Sequence, residues 1–220
     1  MGLAGAEKAL PRRGLFVSVI EQPSVLSSRQ GIDDLIAFAK EAKIKTLFVQ
    51  IYRANKAWFP SEAADDVPYR MYRDKVGEDP FALLIQKAHA EKIEVHAWLN
   101  MLSLAENAGA MILKKYGPEI LTRNLDPKQT LDDYRIDRQF FLEPGDPRVR
   151  KYLAVIVTEI LKAYPDLDGL QFDYIRYPDS KPHYGFTVVN ARRFKQTTRR
   201  KTIEEKSSAW QKWKRDQVTG

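Results

Sequence analysis

The stretch GDPRVRKYLAVIVTEILKAYPDLDGLQFDYIRYP, residues 145–178, decides the fold. Asp146 before Pro147 has the form of a cap followed by the first residue of a helix, and the helix leads into the strand GLQFDYIRYP. Within that strand Asp173 stands alone in an apolar and aromatic run. A carboxylate at the end of a buried strand is costly unless it is paired or used.

Working outward, the same alternation recurs. GLFVSVI (14–20) reads as a strand and GIDDLIAFAKEAKI (31–44) as a helix with apolar residues at Ile32, Leu35, Ile36, Ala39 and Ala42. TLFVQIY (46–52) is the next strand. DPFALLIQKAHAEKI (79–93) is a helix with Asp79 as cap and Pro80 at its first position, and EVHAWLN (94–100) follows as a strand. Nearly continuous apolar strands separated by helices imply a parallel sheet with right-handed crossovers. That leaves a doubly wound sheet or a (β/α) barrel. A dinucleotide fold needs a glycine-rich turn after its first strand, and EQPSVLSSRQG (21–31) has none, so the barrel is favoured. In either fold ligands bind beyond the carboxyl ends of the strands.

Those ends are polar and aromatic. The first strand runs into Glu21 and Gln22. The second ends in Gln50, Tyr52 and Arg53, followed by NKAWFPSE (55–62), which holds Trp58, Phe59 and Glu62. The third carries His96, Trp98 and Asn100, and the fourth Gln171, Asp173, Arg176 and Tyr177. Strand side chains alternate between faces. His96, Trp98 and Asn100 therefore share one face, and Gln171 and Asp173 share one, each opposite an apolar set. This polar face is expected to line the barrel interior.

Composition bounds the function. At 220 residues and 44% hydrophobic, the chain is long enough for one well-buried domain. No apolar run reaches the roughly 18 residues of a membrane span, and MGLAGAEKALPRRG lacks the apolar core of a signal peptide, so residues 1–12 read as a leader or linker. The absence of cysteine removes disulfides, thiolate metal sites and a cysteine nucleophile, and leaves the compartment open. The net charge of +7 lies wholly in residues 183–220, with ten Lys/Arg against three Asp/Glu, while the rest balances. ARRFKQTTRRK (191–201) has no RNA-binding signature and reads as a solvated helix face, so nucleic acid is not the expected partner. His89 in a helix and His183 in a loop do not group with carboxylates at metal-ligand spacing; no metal or cofactor is expected.

Taken in order, FVQIYRANKAWFPSE, EVHAWLN, FFLEPGDPRVRKYL and DGLQFDYIRYP resemble the glycosyl-hydrolase-like (β/α)-barrel family carrying the label "family 10 glycosylhydrolase", which is distinct from the xylanase family of that number. The resemblance covers roughly residues 13–218, including WQKWKRDQV (210–218) as the helix after the fourth strand, where Trp210 and Trp213 are expected to face a core. It implies a TIM-type barrel acting on, or descended from enzymes acting on, oligo- or polysaccharide, an exported or cell-envelope setting, and a carboxylate nucleophile at Asp173. In the acidic-Pro-Gly step this chain has Glu143 where most members have aspartate.

Glycoside hydrolysis by the common route uses two carboxyl groups flanking the scissile bond. Asp173 is the candidate nucleophile, with Arg176 or His96 as its expected partner. Glu62, Glu143 and Asp146 are candidates for the second carboxylate, each also readable as structural: a loop rim, the close of a hairpin and a helix cap. Gln50, Tyr52, Arg53, Trp58, His96, Trp98, Asn100, Gln171, Arg176 and Tyr177 are candidate binding residues, the aromatics either stacking on sugar rings or closing the barrel mouth. A complete eight-stranded barrel takes about 250 residues, whereas these 220 are spent on four βα units and an insertion after the third strand, read as a helix (103–116) and a hairpin (121–143). Half a barrel with an open edge prone to self-association is expected. The alternatives are a noncatalytic carbohydrate-binding or cell-envelope protein that keeps the cleft, and a chain whose basic tail binds an anionic polymer.

Overall fold

The computed structural model describes residues 13–178, 184–204 and 207–219. The segment 1–12 read as a leader lies outside the described residues. The chain runs β1 (Arg13–Val17), α1 (Arg29–Glu41), β2 (Ile44–Arg53), β3 (Lys56–Ala57), α2 (Val67–Val76), α3 (Pro80–Ala90) and β4 (Glu94–Asn100). It continues through β5 (Ser103–Ala105), α4 (Met111–Tyr116), β6 (Phe140–Phe141), α5 (Pro147–Ala163), β7 (Gly169–Asp173), α6 (Val188–Thr198) and α7 (Ser208–Thr219).

Helix starts follow the capping chemistry of the sequence. Ser28 accepts a hydrogen bond from the Gly31 N–H at α1, Asp79 accepts from Phe81 and Ala82 at α3, and Asp146 accepts from Arg148 at α5. Each cap satisfies donors that the first turn leaves free. Four parallel strands pair in the order β1-β2-β4-β7, with β3 folded back antiparallel on β2. The order never reverses, so there is no switch point of the doubly wound kind.

The register sets two faces. Leu47 and Val49 of β2 stand level with Val95 and Ala97 of β4, and Ala97 and Leu99 with Leu170 and Phe172 of β7. On this outer face α1, α3 and α5 bury Ile32, Ala39, Leu84, Ala88, Ile156 and Ile160 into one core with the strands. The opposite, inner face carries Phe16, Phe48, His96 and Trp98, and Phe16 is 55% exposed. At its lower end small residues make room: a Cβ on Gly169 would sit 2.6 Å from His96 Nδ1, and one on Gly14 would sit 2.9 Å from Phe48 Cε2.

The insertion differs from its sequence reading. Residues 103–116 are not one helix: Ser103–Ala105 is a strand paired with β6, and helix resumes only at Met111. The hydrogen bonds of Asn107 to Leu104 O and of Gly109 N–H to the Asn107 side chain turn the chain between them. Residues 121–143 return on themselves, with Leu121 bridged to Leu142, but a short 3-10 helix (Leu131–Tyr134) fills the span. A second small core holds Phe186, Phe194, Trp210 and Trp213 beneath α6 and α7, so both tryptophans are buried.

Candidate active site

Asp173 is the last residue of β7 and lies level with Asn100 at the end of β4, while Gln171 lies level with Trp98. The Trp98 indole N–H donates to Asp173 Oδ2 at 3.0 Å, and the Tyr174 N–H donates to Oδ1 at 2.7 Å. Both carboxylate oxygens are thereby oriented, and each keeps a free lone pair. Tyr174 has φ 53°, a costly left-handed conformation for a bulky residue, and such outliers gather at functional sites. Pairing continues past the strand ends, with Met101 N–H donating to Asp173 O and Leu102 N–H to Tyr174 O.

Beside Asp173 a buried polar chain links the other strands. Ser18 Oγ donates to Gln50 Oε1 and Gln50 Nε2 donates to Asn100 Oδ1, both at 3.2 Å. Gln50 is fully buried and Asn100 nearly so. Residues from all four parallel strands or their immediate extensions therefore meet at one end of the sheet. Gln50, Trp98, Asn100, Gln171 and Asp173 share that face, and His96 sits one level lower, its ring 5.2 Å from Phe48.

Several expected residues stand elsewhere. The side-chain donor to Asp173 is Trp98, not His96, and the Arg176 guanidinium lies over the Tyr174 ring at 5.2 Å. Tyr52 is buried in the outer core. Its hydroxyl accepts from Asn55 Nδ2 at 3.1 Å, and burial pushes its ionisation well above the usual tyrosine range. A register irregularity between Gln50 and Tyr52 sets both Ile51 and Tyr52 against the helices. A bulge of this kind breaks the strict alternation of side chains along a strand.

Glu143 is fully buried. Its Oε1 accepts from Tyr177 OH at 2.7 Å and from Gly145 N–H at 3.0 Å, while Oε2 has no partner among the described residues. Burial, and then the Glu143 charge, push the Tyr177 hydroxyl up. Tyr177 thus seals Glu143 beneath the loop after β7. Glu62 is exposed beside Lys115, Tyr152 and Val155, over α4 and α5 rather than over the inner face. Asp146 caps α5 and pairs with Arg148 at 2.7 Å. Trp58, just after β3, is nine-tenths buried and borders, with Arg53, a cavity of about 630 Å³. No cluster of His, Asp and Glu fit to hold a metal ion occurs among the described residues. His89 pairs with Asp168 at 2.8 Å, and His183 lies outside the described residues. No helix among the described residues is long and apolar enough to cross a membrane.

The parallel sheet, its helix-covered outer face and its polar end define an α/β fold with a candidate site at the carboxyl ends of its strands. The chain matches the family described as glycosyl hydrolase-like 10 over residues 12–220, and it belongs to that family. Among curated relatives, glycosyl hydrolase DigH of Escherichia coli (strain K12) is 25% identical over 198 residues, covering 79% of this chain and 44% of DigH. Glycosyl hydrolase YngK of Bacillus subtilis (strain 168) is 26% identical over 162 residues, covering 70% of this chain and 29% of YngK. The chain therefore spans less than half the length of these relatives. Among solved structures, alpha-L-fucosidase isoenzyme 2 from Paenibacillus thiaminolyticus superposes with TM-score 0.64 at 12% identity, over 95% of this chain and 29% of that one. A hypothetical protein from Ruminiclostridium thermocellum gives 0.52 at 18% identity, over 76% and 78%. At these identities the structural likeness is one of fold.

Proposed function

We propose that the chain is the first half of a (β/α)-barrel glycoside hydrolase and carries its nucleophile, Asp173. The observation that carries the reading is the placement of Asp173 on the inner face at the carboxyl end of β7, with one donor on each oxygen and a strained residue behind it. Family membership and the two glycosyl hydrolase relatives support the reaction class. A glycosyl ester forms when one carboxylate oxygen attacks the anomeric carbon and the glycosidic oxygen leaves. A second carboxyl group protonates that oxygen and then activates water for the second step.

The second carboxyl group belongs, on this reading, to strands that complete the barrel. Glu143 faces protein, and Glu62 faces α4 and α5. Loss of general acid catalysis costs about 10² to 10⁴ in rate. The 220-residue chain is therefore expected to turn over dinitrophenyl glycosides, whose leaving group needs no proton, far better than natural linkages, with Asp173→Asn abolishing the activity. Efficient cleavage of an unactivated oligosaccharide by this chain would refute the half-site reading and return Glu62 or Glu143 to consideration.

A noncatalytic, carbohydrate-binding role is the second reading, favoured by the same lack of an acid opposite Asp173 among the described residues. Oligosaccharide binding that survives Asp173→Asn, with no turnover of any dinitrophenyl glycoside, selects it. Either reading leaves apolar surface at the open sheet: Phe16 on the inner face, and Phe172 and Ile175 at the free β7 edge. Association of the chain in sedimentation experiments is expected from this.

A further inference from the structure

The cavity beside the end of β2 has a composition that the hydrolytic reading does not use. Arg53 closes β2, Lys56 opens β3, and the two stand directly across the hairpin from each other. Like charges in that position destabilise a strand pair. The turn between them is costly as well, since Ala54 and Asn55 both take left-handed backbone conformations, φ 53° and 59°. It is nevertheless held rigidly. Asn55 is fully buried, donates to the Tyr52 and Tyr152 hydroxyls at 3.1 Å, and accepts from Ile112 N–H at 3.2 Å. Ala54 O accepts from Asn107 Nδ2 at 2.7 Å. An unfavourable cation pair on an anchored, strained turn is a presenting device.

What it presents is a binding surface. Among the described residues the Arg53 guanidinium has no hydrogen-bond or ion-pair partner, and guanidinium is charged at any physiological pH. Trp58, nine-tenths buried in the same wall, has an indole N–H with no acceptor. One carboxylate, Asp65, shares the wall, and one of its oxygens accepts from Val67 N–H at 3.2 Å. Facing these groups are the exposed side chains of Ile20 and Met71 beside Tyr72, an apolar floor. The volume of about 630 Å³ falls within the ~300–1,000 Å³ of ligand pockets. Two donors seeking an acceptor, two cations against one anion, and an apolar floor define a ligand with an apolar ring face and an anionic edge.

We infer that this cavity is a subsite for a sugar unit bearing a carboxylate, so that the chain engages an acidic rather than a neutral glycan. The inference rests on the glycoside hydrolase reading, because the cavity opens at the same end of the sheet as Asp173. The carboxylate pairs with Arg53, the Trp58 N–H donates to a ring or carboxylate oxygen, and the sugar's C–H face lies on Ile20 and Met71.

The test is equilibrium binding of the 220-residue chain, by calorimetry, to oligogalacturonate, oligoalginate and hyaluronan tetrasaccharides, each beside its carboxyl-reduced form. At least one acid form is expected to bind more tightly than its reduced form. Arg53→Gln is expected to weaken that acid form about ten- to hundredfold, the size of a lost charge-assisted hydrogen bond, while leaving the reduced form unchanged. Arg53→Lys recovers part of the loss, which a misfolded variant does not. If acid and reduced forms bind alike and Arg53→Gln alters neither, the subsite is overturned and the hydrolase reading stands. If the acid preference holds but Asp173→Asn retains full activity on dinitrophenyl glycosides, the subsite stands and the nucleophile assignment fails. Binding of no oligosaccharide in either form overturns the subsite and leaves the hydrolase reading to the turnover of dinitrophenyl glycosides.

Discussion

On the outer face of the sheet Leu47, Val49, Val95, Ala97 and Leu99 are fully buried, whereas one residue further along the same strands Phe48, His96 and Trp98 are only partly covered, and Phe16 lies open. The difference is one of partners. Three amphipathic helices close the outer face into a dry core, whereas on the other Phe16 stacks on Phe48 and stays largely in water. The backbone is common to both faces, so stability and chemistry are separated by a single step in the sequence. Substitutions on the outer face should be read in denaturation midpoints, and those on the inner face in binding and turnover.

The sharpest way to break this contrast is a pair of truncations. Leu47→Ala should cost about 2–5 kcal/mol in urea denaturation, since it leaves a cavity in a packed core. Phe16→Ala, with its ring stacked on Phe48 at 4.7 Å but largely in water, should cost about 1 kcal/mol or less. Equal losses would show that the inner face is closed in solution. Asn55→Ala should come next, at about 1–3 kcal/mol, because Ile112 N–H and the two tyrosine hydroxyls lose a buried partner. Trp98→Phe keeps the ring that packs edge-on against Phe16 and removes only the donor to Asp173, so its stability cost should stay near 0.5–1.5 kcal/mol. Its larger effect should be a fall in turnover of dinitrophenyl glycosides at unchanged substrate binding.

The smallest effect concerns acid. Burial alone raises the Asp146 carboxyl, but the hydrogen bonds from the Arg148 side chain and N–H outweigh it and hold the group below the usual aspartate range. Asp168, also partly buried, is likewise held low by Val95 N–H and His89. A depressed folded-state value contributes stability above the unfolded-state value of about 3.9, and the contribution is lost as pH falls through the folded value. The urea midpoint should therefore decline below about pH 4, and the decline should be shallower in Asp146→Asn and in Asp168→Asn. An unchanged slope in both variants would place the acid sensitivity elsewhere.

Much of this was legible in the sequence where a local rule acts alone. EVHAWLN was read as a strand over 94–100, and β4 is Glu94–Asn100, because every second residue meets the same helices. The Asp-Pro punctuation located the starts of α3 and α5 at Pro80 and Pro147. Helix α2 escaped notice because VPYRMYRDKV buries only Tyr69 and Val76, too little for a periodic signal. Helix α6 is legible in ARRFKQTTRRK as a largely solvated helix face, in keeping with its burying only Asn190 and Phe194. Residues 103–116 differ from the helix their local pattern suggests because Ser103 and Ala105 pair with Phe141 and Phe140 far along the chain, which no local window contains. The placement of Asp173 and Asn100 on one face followed from alternation, but the indole N–H on Asp173 comes from a neighbouring strand and depends on register. Tyr177 was legible as polar, but not as the seal on Glu143.

The bulge in β2 acts on side chains as a frameshift acts on codons. Up to Gln50 the even positions face inward, and from Tyr52 onward the parity is reversed. One supernumerary residue thereby sends a tyrosine, which an unbroken frame would place at the mouth, into the dry layer, and turns the following arginine the other way. Removing Ile51 should take out the bulge and leave both side chains where they are, because Tyr52 already stands level with Leu99 and Gln50 with Trp98; an exchange needs Ile51 itself to take the place opposite Leu99. The electrostatic character of that end of the sheet is thus set by which residue β2 leaves out of its pairing with β4.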